Sequence, residues 1–104
     1  MAWVILLVAG LLEVVWAFAL KQSEGLTRLG ASAVTIVSLI ASLVLLSLAM
    51  RTLPLGTAYT VWTGIGAVGA FAVGVIVLGE AVTPLRVTAA ALIVTGLVAM
   101  KLAD

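Results

Sequence analysis

Apolar residues fill four long stretches of this chain, and polar residues are concentrated in the short segments between them. A stretch of about 20 apolar residues is long enough to cross the hydrocarbon core of a membrane as an α-helix. The intervening segments contain Glu24-Gly25, Leu53-Pro54 and Thr83-Pro84, and glycine and proline commonly terminate helices. The pattern therefore predicts four membrane-spanning helices, each antiparallel to the next, over about residues 2–20, 29–50, 55–79 and 85–100.

The composition indicates that few residues remain for a water-soluble domain outside the membrane. Of the 104 residues, 65% are hydrophobic and 9% are charged, which is far from the average of water-soluble domains. We therefore predict a single all-α membrane domain over residues 1–104. Cysteine and histidine are absent, which excludes disulfides, thiolate and imidazole metal ligands, and the usual nucleophile and base pairs of hydrolases. We expect no enzyme, metal site or cofactor, and the net charge of +1 gives no reason to expect a nucleic-acid partner.

Glu13 is the one charged residue in the interior of a predicted span. It lies about 10 Å from either end of the first helix at ~1.5 Å per residue, and no basic residue has a matching depth. A carboxylate at membrane depth is costly and by default marks an ion or substrate site. The other charged residues all lie at or beside the ends of the apolar runs, at Lys21, Glu24, Arg28, Arg51, Glu80, Arg86, Lys101 and Asp104.

The position of Glu13 predicts competition between a proton and a cation. Burial favours the neutral form of a carboxyl group, so we expect Glu13 to hold a proton. Once that proton is lost, the buried anion is tolerable mainly when a cation occupies the site or water reaches it. Such competition is the chemical basis of an antiporter, in which the loaded carrier changes sides and the empty one does not.

Aromatic and hydroxyl side chains lie where they can approach Glu13. Trp16 follows one turn later on the first helix, and Tyr59 and Trp62 are three positions apart on the third. Ring faces attract a cation more strongly where water is excluded. The alternative is an aromatic belt at the membrane interface, above all for Tyr59. Ser42, near the middle of the second helix, is expected to donate a hydrogen bond to ionised Glu13.

Four glycines carry further predictions. Gly10 shares a helix face with Glu13 and predicts close approach by another helix. Gly96 belongs to a small-residue surface of the fourth helix, which we interpret as an assembly helix. Gly64 and Gly66 suit either close packing or a bend that differs between two conformers, and we favour the hinge.

The basic residues barely specify an orientation in the membrane. Arg51 and Lys101 lie on the side of the first residue, whereas Lys21, Arg28 and Arg86 lie on the other side. Two charges against three is a weak bias, and it permits both orientations of the same chain and hence an antiparallel homodimer. The alternative is a partner subunit that sets the orientation.

The chain carries the following motifs in order: Glu-Val-Val-Trp at 13–16, Lys21, Ser23, Glu-Gly-Leu-Thr-Arg at 24–28, Pro-Leu-Gly-Thr-Ala-Tyr at 54–59 and Trp-Thr-Gly-Ile-Gly at 62–66. Together these motifs resemble the small multidrug resistance transporters over nearly the whole chain. Trp16 together with Ser42 resembles the guanidinium-exporting subtype, since exporters of polyaromatic cations usually have glycine at the position of this tryptophan. The chain differs at Leu26, where the family usually has phenylalanine.

The resemblance implies an antiparallel homodimer in a bacterial cell membrane, with both Glu13 side chains in one central site. Helices one to three are then expected to line that site and helix four to join the protomers. The resemblance further implies export of guanidinium in exchange for protons. Guanidinium is planar and charged, and its fork of N–H donors matches a carboxylate. We expect Trp16 and Trp62 as apolar walls, Glu13 and Ser42 as the polar edge, and Tyr59 orienting Glu13 or gating entry.

Other functions remain open from the sequence. The nearest is export of quaternary ammonium or other lipophilic cations, which would bind bulky aromatic cations with little discrimination by hydrogen bonding. A different class is an ion-carrying subunit of a rotary membrane complex, against which four spans and the aromatic cluster count. One half of a heteromeric transporter is a third alternative.

Overall fold

The structure, a computed structural model, describes residues 1–103, and Asp104 lies outside the described residues. Over residues 1–103 all four predicted helices are present, and each is long and apolar enough to cross a membrane. The expected all-α architecture with four candidate spans is therefore confirmed. The helices are α1 Ala2–Gln22, α2 Leu29–Ala49, α3 Leu55–Ile76 and α4 Pro84–Ala103.

The predicted boundaries are three residues off at two places, the end of α4, which continues to Ala103, and the end of α3. This helix ends at Ile76, three residues before the predicted end at Gly79. Gly79 has a φ of 69°, a left-handed conformation that glycine adopts at low cost where a helix stops. The apolar run continues through Leu78, so apolarity outlasts the helix here. The opposite occurs in α1 and α4, which continue past the charged residues Lys21 and Lys101.

Ser23 organises the tight connection from α1 to α2. Its hydroxyl donates to the Leu20 carbonyl at 2.6 Å and accepts the Leu26 N–H at 3.0 Å. Between these bonds the chain turns through left-handed residues, with φ of 50° at Glu24, 75° at Gly25 and 69° at Leu26. Buried Ser23 thus holds the end of α1 in one place despite an exposed loop.

The helix α1 is the centre of the bundle and packs against both α2 and α3, whereas α2 and α3 touch each other little. The apolar core lies at one end of the bundle, where α1 begins, α2 ends and α3 begins. Each helix supplies both large and small side chains there, so the helices interdigitate. The buried core residues are Leu6, Ala9, Leu46, Ala49, Leu53, Ala58, Val61 and Trp62.

The helix α4 stands to one side. Its backbone approaches α3 alone among the described helices, and none of its residues is buried. One side-chain contact ties its end to α1, because the Lys101 ammonium lies over the Trp3 ring at 4.7 Å from the centroid. Large apolar side chains are exposed on all four helices, as lipid surroundings or another protein surface require.

Candidate functional site

Glu13 lies in the interface between α1 and α3, with its carboxylate against the backbone of Gly66. A methyl group at Gly66 would overlap the Glu13 side chain, so this conformation of Glu13 depends on the glycine. Within residues 1–103 the carboxylate has neither an ion pair nor a hydrogen bond. The structure therefore holds a partly buried acid in the middle of a candidate span, without a counter-ion from the described part of its own chain.

The surroundings of Glu13 are built from glycines that face large side chains. A Cβ at Gly10 would lie 2.6 Å from Ile65 Cγ2, and one at Gly69 would overlap Val14. These positions let α1 and α3 approach closely. The close approach is what places the side chain of Glu13 directly on α3 rather than in open space.

The helix α3 runs without a break through the segment where we expected a hinge. A Cβ at Gly64 would lie 2.5 Å from Leu97 Cδ2 of α4, and Gly66 contacts Glu13. Both glycines are thus close-contact positions in this conformation. In contrast, an added Cβ at Gly96 would meet nothing within 4 Å, so this glycine makes no close contact within the described chain.

A hydrogen-bonded chain of Trp62, Ser42 and Ala9 joins three helices next to Glu13. The Trp62 indole N–H donates to Ser42 Oγ at 2.9 Å, and the Ser42 hydroxyl donates to the Ala9 carbonyl at 2.7 Å. The expected bond from Ser42 to Glu13 is therefore corrected, because the hydroxyl has a single proton and Ala9 receives it. The acceptor is the Ala9 carbonyl, one turn before Glu13. Every residue has a backbone carbonyl, so the sequence alone could not single out this one.

The three predicted aromatic residues have different environments. Trp62 is buried at 7% exposure, and its ring lies 5.5 Å from that of Tyr59 at an angle of 48°. Tyr59 is 52% exposed and lies on the outside of this pair. The indole N–H of Trp16 is buried and lacks a hydrogen-bond partner within residues 1–103. A buried donor without an acceptor is rare and calls for an explanation.

The predicted site residues thus form two groups in the described chain. Glu13 contacts Gly66, while Ser42, Trp62 and Tyr59 form a second group through hydrogen bonding and ring contact. The groups are joined through Ala9, four residues or about 6 Å before Glu13 along α1. No cluster of three or more acidic, histidine or cysteine side chains suited to a metal exists among residues 1–103. An unpaired carboxylate in the middle of a candidate span is chemistry for a proton or a cation.

Known proteins of one family are similar to this chain over nearly its whole length. Residues 1–103 match the family model described as Small Multidrug Resistance protein. Relatives named "Guanidinium exporter" from Salmonella typhimurium and Citrobacter freundii are 57% identical over 102 residues, which cover 98% of this chain and 97% of each relative. One from Escherichia coli strain K12, with the same name and coverage, is 54% identical. The chain therefore belongs to the small multidrug resistance family, and it is a multi-pass membrane transporter and not an enzyme.

Proposed function

We propose that this protein exports guanidinium from the bacterial cytoplasm in exchange for protons, with Glu13 binding proton and cation alternately. The observation that carries the proposal is the unpaired Glu13 carboxylate held against Gly66 between α1 and α3. An acid without a counter-ion in apolar surroundings is stable when protonated or when a cation is bound. The name shared by relatives at 54–57% identity supports guanidinium as that cation.

The proposed site uses the two residue groups for different purposes. Glu13 accepts N–H donors from the planar cation, and the faces of Trp16 and Trp62 bound the space around it. Ser42 acts mainly by holding the Trp62 indole, to which it is hydrogen bonded. The buried N–H of Trp16 is free within the described chain and is available to an acceptor that arrives with substrate or with a second protomer. Tyr59 borders the exposed side of Trp62 and is our candidate for gating entry.

The proposed assembly is an antiparallel homodimer in the bacterial inner membrane, with a Glu13 from each protomer in one site. Support comes from α4, which buries none of its residues within this chain and leaves Gly96 facing open space. We propose that a second copy packs there. The near balance of basic residues between the two ends allows two opposite insertions of one sequence.

Alternating access in this proposal involves α3 at Gly64 and Gly66. The helix is continuous in the present conformation, and Gly66 contacts the ion-binding carboxylate itself. A bend at this segment would therefore move the surface on which Glu13 rests. We propose that this coupling links occupancy of Glu13 to the change of side.

The decisive experiment follows guanidinium-driven pH change in liposomes that contain only this purified protein. We expect coupled exchange by the wild type, and loss of it in Glu13→Gln, which retains size but neither binds a proton nor pairs with a cation. The control is Glu24→Gln, which removes an exposed acid paired with Arg28 at 3.0 Å and should retain exchange. Gel filtration should show that both variants still insert and assemble.

Three outcomes would contradict the proposal. Undiminished exchange in Glu13→Gln would exclude this residue as the coupling group. Displacement of guanidinium by bulky aromatic cations at lower concentrations than by guanidinium itself would favour a lipophilic-cation exporter. Inactivity of the pure chain that a second subunit reverses would identify one half of a heteromeric transporter.

A further inference from the structure

A second glycine of α3 also makes room for a carboxylate. A Cβ at buried Gly74 would lie 2.5 Å from Glu80 Oε1 and 2.8 Å from its Cδ. The chain reverses at Gly79, and the Glu80 N–H donates to the Gly74 carbonyl at 3.0 Å. The carboxylate of Glu80 is thereby folded back onto the last turns of α3, in the manner in which Gly66 seats Glu13.

The position of Glu80 is electrostatically unfavourable unless a cation is nearby. The carboxyl end of a helix carries partial negative charge, which repels a carboxylate placed beside it. Within residues 1–103 the Glu80 side chain has no hydrogen bond or ion pair. The Glu80 carboxylate therefore has no direct partner in the described chain, while the Arg86 guanidinium nearby donates to the Ala81 carbonyl at 3.2 Å.

Glu80 lines a cavity between α1 and α3 whose α1 wall begins at the residue after Glu13. The cavity extends along α1 from Val14 to Lys21, about 10 Å at ~1.5 Å per residue, and Phe18 contributes an aromatic side chain to its wall. Val14, at the inner end, directly follows Glu13 in the sequence. At the outer end Lys21 and Glu80 line the same cavity without forming an ion pair.

Together with the proposed transport function, on which this inference rests, these contacts define a second cation position. We propose that Glu80 binds a guanidinium-type cation at the outer end of the α1–α3 cavity, before the cation reaches Glu13 or after it leaves. The Lys21 ammonium competes with the cargo for the same carboxylate. A cation lodged there is thus exchangeable, because an internal competitor lines the same cavity.

The test measures initial rates of guanidinium–proton exchange against guanidinium concentration in vesicles of zwitterionic lipid, which contribute no net surface charge. For Glu80→Gln we expect KM to rise about threefold to tenfold with little change in the maximal rate, as for loss of a steering charge. Lys21→Gln should lower KM, because the competitor is gone. Glu80→Asp keeps the charge and should restore most of the wild-type KM, and Glu24→Gln, an exposed acid of the same end, should leave KM unchanged.

Ionic strength provides a second measurement. The difference in KM between wild type and Glu80→Gln should shrink as salt is raised from about 0.01 M, where the screening length is about 30 Å, to about 1 M, where it is about 3 Å. A merely structural Lys21–Glu80 pair would behave differently, since both single variants would then impair exchange in the same direction and be largely insensitive to salt.

The outcomes separate this inference from the transport function. If the wild type is active and Glu80→Gln has the same KM for guanidinium as Glu24→Gln, the inference alone is overturned. It is likewise overturned if Glu80→Gln and Lys21→Gln shift KM in the same direction. Absence of guanidinium exchange by the wild-type protein overturns the proposed function and this inference together. Opposite shifts of KM that diminish with salt support a cation position at Glu80.

Discussion

The two ends of the helix bundle are built differently. The end at which α1 begins contains large buried side chains, including Leu6, Leu46 and Trp62. The end at which α1 finishes buries only small residues such as Ala19, Ser23 and Gly74, and a cavity lies there between α1 and α3. Glu13 lies between the two, near the middle of α1. The first end is filled by large side chains that hold three helices together, and the second has a cavity between α1 and α3 that Glu80 lines.

This difference indicates how one short chain has both a closely packed region and a cavity between two helices. Close packing at one end fixes Trp62 and Ser42 by hydrogen bonds that cross three helices. At the other end, glycines with large neighbours bring α1 and α3 together at Glu13 but leave the cavity open beyond Val14. We expect substitutions at the boundary to impair transport most, and substitutions in the packed end to act first on stability.

Gly66→Ala should have the largest effect, because its methyl group would occupy the position of the Glu13 carboxylate. Displacement of a functional group by about 1 Å costs on the order of 100-fold in comparable chemistry, and we expect at least that loss in exchange rate. The assay is guanidinium-driven pH change in liposomes. Gly30→Ala is the matched control on α2, where an added Cβ meets nothing within 4 Å, and it should retain wild-type exchange. Normal exchange by Gly66→Ala would show that transport does not require the contact between Glu13 and Gly66.

Ser42→Ala should mainly destabilise the packed end. It removes the acceptor of the buried Trp62 N–H, and such an unsatisfied donor costs about 1–3 kcal/mol in the free energy of unfolding. Thermal unfolding of the purified protein would measure the loss, with Ser47→Ala at an exposed position of α2 as the control. Trp62→Phe should cost less stability in the Ser42→Ala background than in the wild type, because in that background the indole N–H has no hydrogen bond left to lose. Equal costs of Trp62→Phe in the two backgrounds would argue against the hydrogen bond as the cause.

Lys101→Gln should have the smallest effect of the three, because it removes one cation–π contact with Trp3. We expect about 0.5–1 kcal/mol of lost stability and little change in exchange rate, since the contact lies far from Glu13 along α1. The same thermal measurement applies, and Lys101→Arg should retain the contact. A loss larger than that of Ser42→Ala would mean that α4 depends on this end contact more than on its packing against α3.

The sequence allowed candidate residues of the site to be named, because the cost of burying charge is local, and their roles stay predictions. Glu13 was identifiable from its position in an apolar run, and Trp16, Tyr59 and Trp62 from residue type and helical spacing. The partner of Ser42 was predicted wrongly, since hydroxyl groups at one depth have several acceptors and only the packing selects one. The end of α3 was placed too late, because apolar residues continue beyond the last helical turn.

The sequence by itself determined four apolar helices long enough to cross a membrane, with one acid in the middle of the first, because hydrophobic length and charge position are properties of a linear pattern. Only the tertiary structure decided which groups meet: Gly66 with Glu13, Gly74 with Glu80, and Ser42 with Ala9 and Trp62. The reason is geometric, since a contact between helices depends on their separation and rotation. Those quantities are set by the whole packed interface and not by the spacing along any one helix.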